Sequence, residues 1–184
     1  GDPRWLQEAR ATADAAIDLF FDSDQGGFFT TGEDQPRLVV RNKDLIDNAV
    51  PAANSVMALE LQRLALITGE QRYASHAEPI LQQLRDAASR SPLGFGHLLA
   101  AFDLFTSEPL EIVVVGEKPD PFLDVVWNTY LPARVIVRSA TADTSVSPLL
   151  EGRDPGGTTT AYVCRRMVCK EPARDPGKLA EQLA

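Results

Sequence analysis

The spacing of apolar residues changes at Pro109, and this change limits what the 184-residue chain can fold into. Before Pro109 the apolar residues recur every three or four positions, which is typical of amphipathic helices. After it, residues 110–115 form a short β-branched run ended by Gly116, which predicts a buried strand. We therefore expect a mainly α chain with a small α/β unit, divided into residues 1–108 and 109–184.

Four helices are predicted before Pro109. The first covers residues 3–21 and ends at a turn of polar residues and glycines. A second begins after Pro51 and is apolar on most sides, and Gly69 just past its end is expected to cap it. A third helix follows, and Pro92 opens a fourth. The residues expected on the inner side of the third helix are Tyr73, Ala77, Ile80, Leu81, Leu84 and Ala88. Short connections favour antiparallel helical hairpins. Since four such helices are too few to bury one another, we expect the closing hairpins of an α/α toroid.

Two extended stretches lie between the first and second helices. The residues Phe28–Thr31 and Leu38–Val40 are apolar or β-branched and are joined by a polar connection. We expect these two stretches to pair with each other.

The second part of the chain predicts a short parallel β-α-β subdomain. A helix over residues 119–130 follows the first strand, and a second strand covers residues 133–137. Residues 139–160 are rich in turn formers and predict a long loop. A third strand over residues 161–164 and a terminal helix from Asp175 complete this part.

The composition excludes several classes of protein. A net charge of −8 and the lack of a basic stripe argue against nucleic acid as a partner. No apolar stretch approaches the roughly 20 residues that cross a bilayer, so no membrane contact is expected. Two cysteines are too few for a disulfide scaffold, which favours the cytoplasm. The start lacks an initiator Met and a signal-peptide pattern, so we expect the chain to begin inside a longer protein.

Residues 41–55 form the densest polar cluster beside an apolar helix. In helical toroids the loops at helix ends surround a central pocket, where carboxylates and amides can bind sugar hydroxyls or transfer protons. The candidate catalytic residues are Asp44, Asp47 and His97, and the candidate substrate-binding residues are Arg41, Lys43, Asn48 and Asn54. The alternative is structural, since aspartate, asparagine and serine are also the residues that cap helices.

No metal or cofactor is expected from the remaining motifs. Asp22, Asp24, Gly27 and Glu33 approximate a calcium loop, but Gly26 replaces the usual third acidic or amide ligand. Cys164 and Cys169 are separated by four residues, whereas redox and zinc motifs usually have two. We expect Cys164 to be packed in a strand, with Cys169 either a free thiol or its pairing partner.

Two sequence stretches carry a family resemblance. They are the loop over residues 47–56, which reads Asp-Asn-Ala-Val-Pro-Ala-Ala-Asn-Ser-Val, and the ending that runs from Ala161 to Pro176 through both cysteines. Together with the glycine turn and the strand at 110–116, they make the chain resemble the C-terminal part of the thioredoxin-domain-containing proteins related to spermatogenesis-associated protein 20. The pair Ala52-Ala53 departs from the family's usual Ser-Gly before Asn54.

The resemblance implies an N-terminal thioredoxin-like domain followed by a six-hairpin toroid like those of glycosidases and the N-acylglucosamine 2-epimerase group. The partners it implies are that thioredoxin-like domain and the remaining toroid. It suggests that the protein binds or transforms a small carbohydrate, with a sugar isomerase, epimerase or glycosidase-like activity if it is an enzyme. The alternative is a non-catalytic scaffold or interaction module for the thioredoxin-like domain. Uncovered apolar faces also predict self-association of the segment.

Overall fold

The computed structural model describes residues 2–36, 39–166 and 168–184. The chain forms two compact units, one of residues 4–65 and 70–106, the other of residues 66–69 and 107–184 with the first few residues. The first unit is helical, and the second contains a four-stranded mixed sheet. The prediction of a mainly α chain with a small α/β unit is therefore confirmed at this level.

The helical unit is built on four helices. They are α1 (Pro3–Phe20), α2 (Ala53–Thr68), α3 (Gln71–Arg90) and α4 (Gly96–Thr106). The spacing of apolar residues in α3 places one side of the helix in the core, and the buried residues are the predicted ones: Tyr73, Ala77, Ile80, Leu81, Leu84 and Ala88. Gly69 follows α2 directly and has a φ of +73°, which suits the predicted glycine cap.

The fourth helix begins later than predicted. Pro92 opens only a 3-10 turn over Pro92–Gly94, and the α-helix begins at Gly96. The Ser91 side chain forms no cap hydrogen bond. The first N–H groups of α4 are instead bound by a carboxylate far away in sequence, Asp47, which a local pattern does not reveal.

The pairing predicted for residues 28–31 takes another form. Phe28 forms an antiparallel bridge with Phe21, and the N–H of Thr30 donates to the carbonyl of Asn42 at 2.8 Å. In the stretch expected to pair with them, Leu38 lies outside the described residues, and Val39 and Val40 are exposed. The extended stretch is thus bound to Phe21, which precedes it, and to Asn42, which follows the predicted partner.

The sheet unit has the strand order β2-β1-β3-β4. Its elements are β1 (Leu110–Val115), α5 (Asp120–Trp127), β2 (Arg134–Ser139), β3 (Thr160–Arg165), β4 (Val168–Cys169) and α6 (Pro176–Leu183). The strands β1 and β2 are parallel, as predicted, with α5 between them in the chain.

The prediction of a short parallel subdomain is wrong for the rest of the sheet. β3 is antiparallel to β1, and β4 is antiparallel to β3. The reason lies in the loop over residues 140–159, all of which are described: it contains the 3-10 turn Pro148–Leu150 and no crossover helix. The loop leads from the end of β2 to the other edge of β1, where β3 begins beside the last residue of β1 and so runs antiparallel to it.

Both faces of β1 are covered, which explains its unbroken apolar run. All its residues are buried. On one face the core contains residues of α5, α6 and the sheet: Leu110, Ile112, Val114, Phe122, Val126, Ala161, Val163, Ala173, Leu179 and Leu183. On the other face it contains residues of the sheet and of the long loop: Val113, Val115, Val135, Val137, Leu149 and Leu150.

Candidate functional site

The turn after α1 is closed by a lysine. The Asp22 carboxylate accepts the N–H groups of Asp24 and Gln25 at 3.0 and 3.1 Å. The Lys43 ammonium lies 2.7 Å from the other oxygen of Asp22 and donates to the carbonyl of Gly26 at 2.6 Å. This bond to Lys43 is the main reason that the pKa of Asp22 is lowered. The first carboxylate of the calcium-like pattern is therefore bound to the protein's own cation, and the described residues contain no cluster of acidic, histidine or cysteine side chains suited to a metal.

Asn54, in the first turn of α2, is fully buried and binds two loops. Its side-chain oxygen accepts the N–H of Phe28 at 2.7 Å. Its amide nitrogen donates to the carbonyls of Phe28 and Asp44 at 2.9 and 2.8 Å. Gly27 has a φ of +81°, and a Cβ there would come within 2.9 Å of the Asn54 oxygen, so the close approach requires glycine.

Asp47 caps two helices at once. One carboxylate oxygen accepts the N–H of Ala52 at 2.8 Å, just before α2. The other accepts the N–H groups of His97 and Leu98, in the first turn of α4, at 2.8 and 3.2 Å. Burial opposes ionisation, but these N–H groups outweigh it and lower the pKa of Asp47. The carboxylate thus satisfies backbone donors at two helix N-termini.

The other predicted site residues, Arg41, Asp44 and Asn48, lie in the loop before α2. The Arg41 guanidinium donates to the carbonyl of Thr31 at 2.6 Å and lies over the Phe29 ring. Asn48 is exposed, and its amide makes a long contact of 3.4 Å with the carbonyl of Ile46. Asp44 is exposed, and its carboxylate has no hydrogen-bond or ion-pair partner among the described residues. These residues therefore line one loop without forming an acid–base pair of side chains.

His97 is joined to Asp47 through its backbone. Its side chain is half-buried, and its Nε2 atom is buried without a hydrogen-bond partner within the described parts of the chain. A carboxylate with a lowered pKa is a weak base at neutral pH, so the bonds to Asp47 suit a cap better than proton transfer. The structural alternative accounts for the contacts of Asp47 and Asn54, while the catalytic assignment of Asp44, Asp47 and His97 stays a prediction.

A second polar cluster lies in the sheet unit. Cys164 and Cys169 face each other across β3 and β4 and form a disulfide, so the pairing alternative for Cys169 is the observed one. The Arg153 guanidinium donates to both sulfur atoms at 3.2 Å. Arg153 was not singled out in the sequence because it lies in a loop rich in turn formers. The available signal was Glu111, a carboxylate inside a buried strand, since such a charge requires a cation nearby.

None of the helices in the described parts of the chain combines the length and the apolar character that crossing a bilayer requires. This agrees with the absence of a long apolar stretch in the sequence.

The relatives of the chain are proteins several times its length. No family model matches the chain. Human spermatogenesis-associated protein 20 is 30% identical over 192 residues, which cover 97% of this chain and 24% of the human protein. The rat and mouse proteins of the same name are 28% and 27% identical over 195 residues, with the same coverage. The chain therefore spans about a quarter of the length of the curated relatives it matches.

Proposed function

We propose that this chain, which is related to spermatogenesis-associated protein 20 over 97% of its length, is the C-terminal part of a longer cytoplasmic protein. In this proposal a thioredoxin-like domain and the other hairpins of an α/α toroid precede it. Its function is that of a non-catalytic interaction module, which closes the toroid and so holds the thioredoxin-like domain in place.

The observation that carries this proposal is the uncovered side of α1. The helix has 18 residues, and none of them is buried. Its uncovered side nevertheless carries mostly small and apolar residues at helical spacing, and Trp5 on this side is 66% exposed. A shallow groove of about 470 Å³ runs along this side, lined by Ala11, Thr12, Ala15, Ala16, Leu19 and Phe20. A helix gains most of its stability from packing an apolar side, so this side of α1 lacks its partner in the present chain.

The proposed occupant of the groove is a preceding helical hairpin of the same longer protein. The matched relatives have about three quarters of their length outside the region that this chain covers, which leaves room for further hairpins. The small residues Ala11, Ala15 and Ala16 allow a second helix to approach closely. A second copy of this chain is the competing occupant, and self-association would then replace the intramolecular contact.

The contacts of the loop over residues 41–55 support a structural role in this proposal. Lys43, Asp47 and Asn54 are bound to backbone groups or to Asp22, and together they fasten the loops to the ends of α2 and α4. Such a network gives the unit a fixed surface for docking. It leaves few of the predicted site residues available for a substrate.

We expect Thr12→Arg to destabilise the longer protein, where the groove is covered, much more than the present chain, where it is uncovered. In the longer protein a charge would enter the covered groove, so the free energy of unfolding should fall by at least about 2 kcal/mol. In the present chain alone the change should stay within about 0.5 kcal/mol, because Thr12 is exposed. Chemical unfolding of both proteins measures the difference.

Gln7→Arg is the matched control, since Gln7 is exposed on another side of α1 and outside the groove. It should be neutral in both proteins. Equal effects of the two substitutions in the longer protein would refute the docking of α1. Light scattering on the present chain tests the competing occupant: a dimer that Thr12→Arg dissociates would assign the groove to a second copy.

Carbohydrate binding is the second candidate function, and the free Asp44 carboxylate favours it. Asp44 is exposed and without a partner among the described residues, so it could accept hydrogen bonds from sugar hydroxyls. A hexose or N-acetylhexosamine should then shift the NMR signals of residues 44–48. Asp44→Asn should weaken this binding about tenfold. Asp18→Asn is the control, since Asp18 is exposed on α1 and far from the loop in sequence, and it should leave the binding unchanged. Unchanged spectra at saturating sugar would exclude this candidate.

A further inference from the structure

The disulfide of the sheet unit lies against a buried guanidinium. Arg153 is 5% exposed, and one of its terminal nitrogens is 3.2 Å from both Cys164 Sγ and Cys169 Sγ. Its other terminal nitrogen donates to the carbonyl of Leu149. The Tyr162 ring lies 5.5 Å from the centre of the guanidinium. These contacts hold the guanidinium of Arg153 against the two sulfur atoms.

The charge of Arg153 lies near the Glu111 carboxylate as well as the two sulfur atoms. Burial lowers the pKa of Arg153, while Glu111 and Tyr162 raise it. An arginine remains protonated under such conditions because its pKa begins far above neutrality. The sulfur atoms of a disulfide are neutral and weak acceptors, whereas a thiolate carries a full negative charge. The site therefore matches a reduced, ionised cysteine better than it matches the disulfide.

The two cysteines differ in their exposure to solvent. Cys164 is 1% exposed, in the middle of the sheet between β1 and β4. Cys169 is exposed and lies on β4, the edge strand. An incoming thiol can therefore reach Cys169 but not Cys164. If it attacks Cys169, the leaving sulfur is Cys164, which Arg153 contacts directly.

We propose that Cys164, Cys169 and Arg153 form a thiol–disulfide exchange site for low-molecular-weight thiols such as glutathione. The thiolate of the incoming thiol attacks Cys169 Sγ and forms a mixed disulfide, after its proton has passed to solvent. The bond between Cys164 and Cys169 breaks, and its electron pair leaves on Cys164 as a thiolate held by Arg153. A second thiol then attacks the mixed disulfide at the sulfur of the first, which releases oxidised glutathione and the Cys169 thiolate. Two thiols are oxidised and one disulfide is reduced.

The position of the mixed disulfide tests the direction of attack in the unmodified chain. The chain is incubated with glutathione, the reaction is quenched with acid, and the glutathionylated peptide is located by fragmentation in a mass spectrometer. We expect glutathione on Cys169 in at least about nine of ten trapped molecules, since Cys169 is exposed whereas Cys164 is only 1% exposed. Glutathione mainly on Cys164, or a disulfide that millimolar glutathione leaves intact, would overturn the proposal.

The role of Arg153 is tested by the equilibrium with the glutathione couple. Arg153→Gln should lower the equilibrium constant for reduction about tenfold or more, because the thiolate loses a charge-assisted hydrogen bond. Arg153→Lys keeps the charge and should recover part of this loss. Arg165→Gln is the matched control, since Arg165 lies beside Cys164 on β3 but donates to the carbonyl of Glu108. Its equilibrium constant for reduction by glutathione should equal that of the unmodified chain.

Circular dichroism establishes that each variant is folded before it is titrated. Equal equilibrium constants for Arg153→Gln and Arg165→Gln would refute the role of Arg153. Should Arg153→Gln fail to fold, the comparison rests on Arg153→Lys and on the trapping experiment, which uses the unmodified chain.

Discussion

Replacing Asn54 with leucine is expected to lower the free energy of unfolding by about 3–5 kcal/mol. Leucine has a similar volume but can neither donate nor accept a hydrogen bond. The N–H and carbonyl of Phe28 and the carbonyl of Asp44 would lose their partner, in a place where Asn54 has no exposed surface. A buried backbone group without a partner costs about 1–3 kcal/mol, so the three losses together account for the expected range.

Urea unfolding followed by far-ultraviolet circular dichroism measures this change. Asn48→Leu is the matched control: the chemical substitution is the same, the residue lies in the loop just before α2, and its side chain is exposed. We expect the control to change the free energy of unfolding by no more than about 0.5 kcal/mol. A loss below about 1 kcal/mol for Asn54→Leu would show that water replaces the asparagine, and that the loops are not held by it.

Asp47→Ala is the second large effect, with an expected loss of about 2–4 kcal/mol. A single helix cap contributes about 1 kcal/mol, and Asp47 serves two helices with charged oxygens. Removing it leaves the N–H groups of Ala52, His97 and Leu98 without their acceptor. The starts of α2 and α4 should fray first, which hydrogen exchange at His97 and Leu98 would detect. Protection there equal to that of the unmodified chain would contradict the double cap.

The stability that Asp47 contributes should depend on pH in a defined direction. Its pKa is lowered in the folded chain, so the carboxylate binds fewer protons there than in the unfolded chain. The contribution is therefore complete above the ordinary pKa of an aspartate, about 3.9, and is lost as the pH falls through the lowered value. Asp47→Asn should flatten this acid limb of the stability curve. Asp18→Asn should leave it as in the unmodified chain, and the same flattening in both variants would contradict the assignment.

The parts of the fold that the sequence predicts are those fixed by local spacing. The inner side of α3 follows from helical periodicity, because a long helix between two others must bury one stripe of residues. The strand β1 follows from its apolar run, because only a strand covered on both faces lacks polar alternation. The parallel pair of β1 and β2 follows from the helix between them. Each of these inferences needs only residues that are neighbours in the chain.

The parts that the sequence does not predict depend on contacts between distant residues. The direction of β3 is decided by where a long loop brings the chain back, which composition does not encode. The residue types of Asp47 and Asn54 indicate capping. They do not indicate that Asp47 caps α4, which begins about fifty residues further along the chain. Arg153 illustrates the same limit, since its partners come from β1, β3 and β4. For the candidate site, the residue type indicates which kind of contact a side chain can make, but not which distant residue it contacts.

The central position of β1 has a consequence for the synthesis of the protein. A ribosome completes β1 some fifty residues before it completes β3, the strand that pairs with its second edge. During that interval β1 can bind β2 along one edge only, and the helix α6 that covers part of one face has not yet been made. The nascent chain therefore carries β1 with one edge unpaired and one face only partly covered until its last segments emerge. Shielding by a chaperone, or a pause in translation, would matter most in this window.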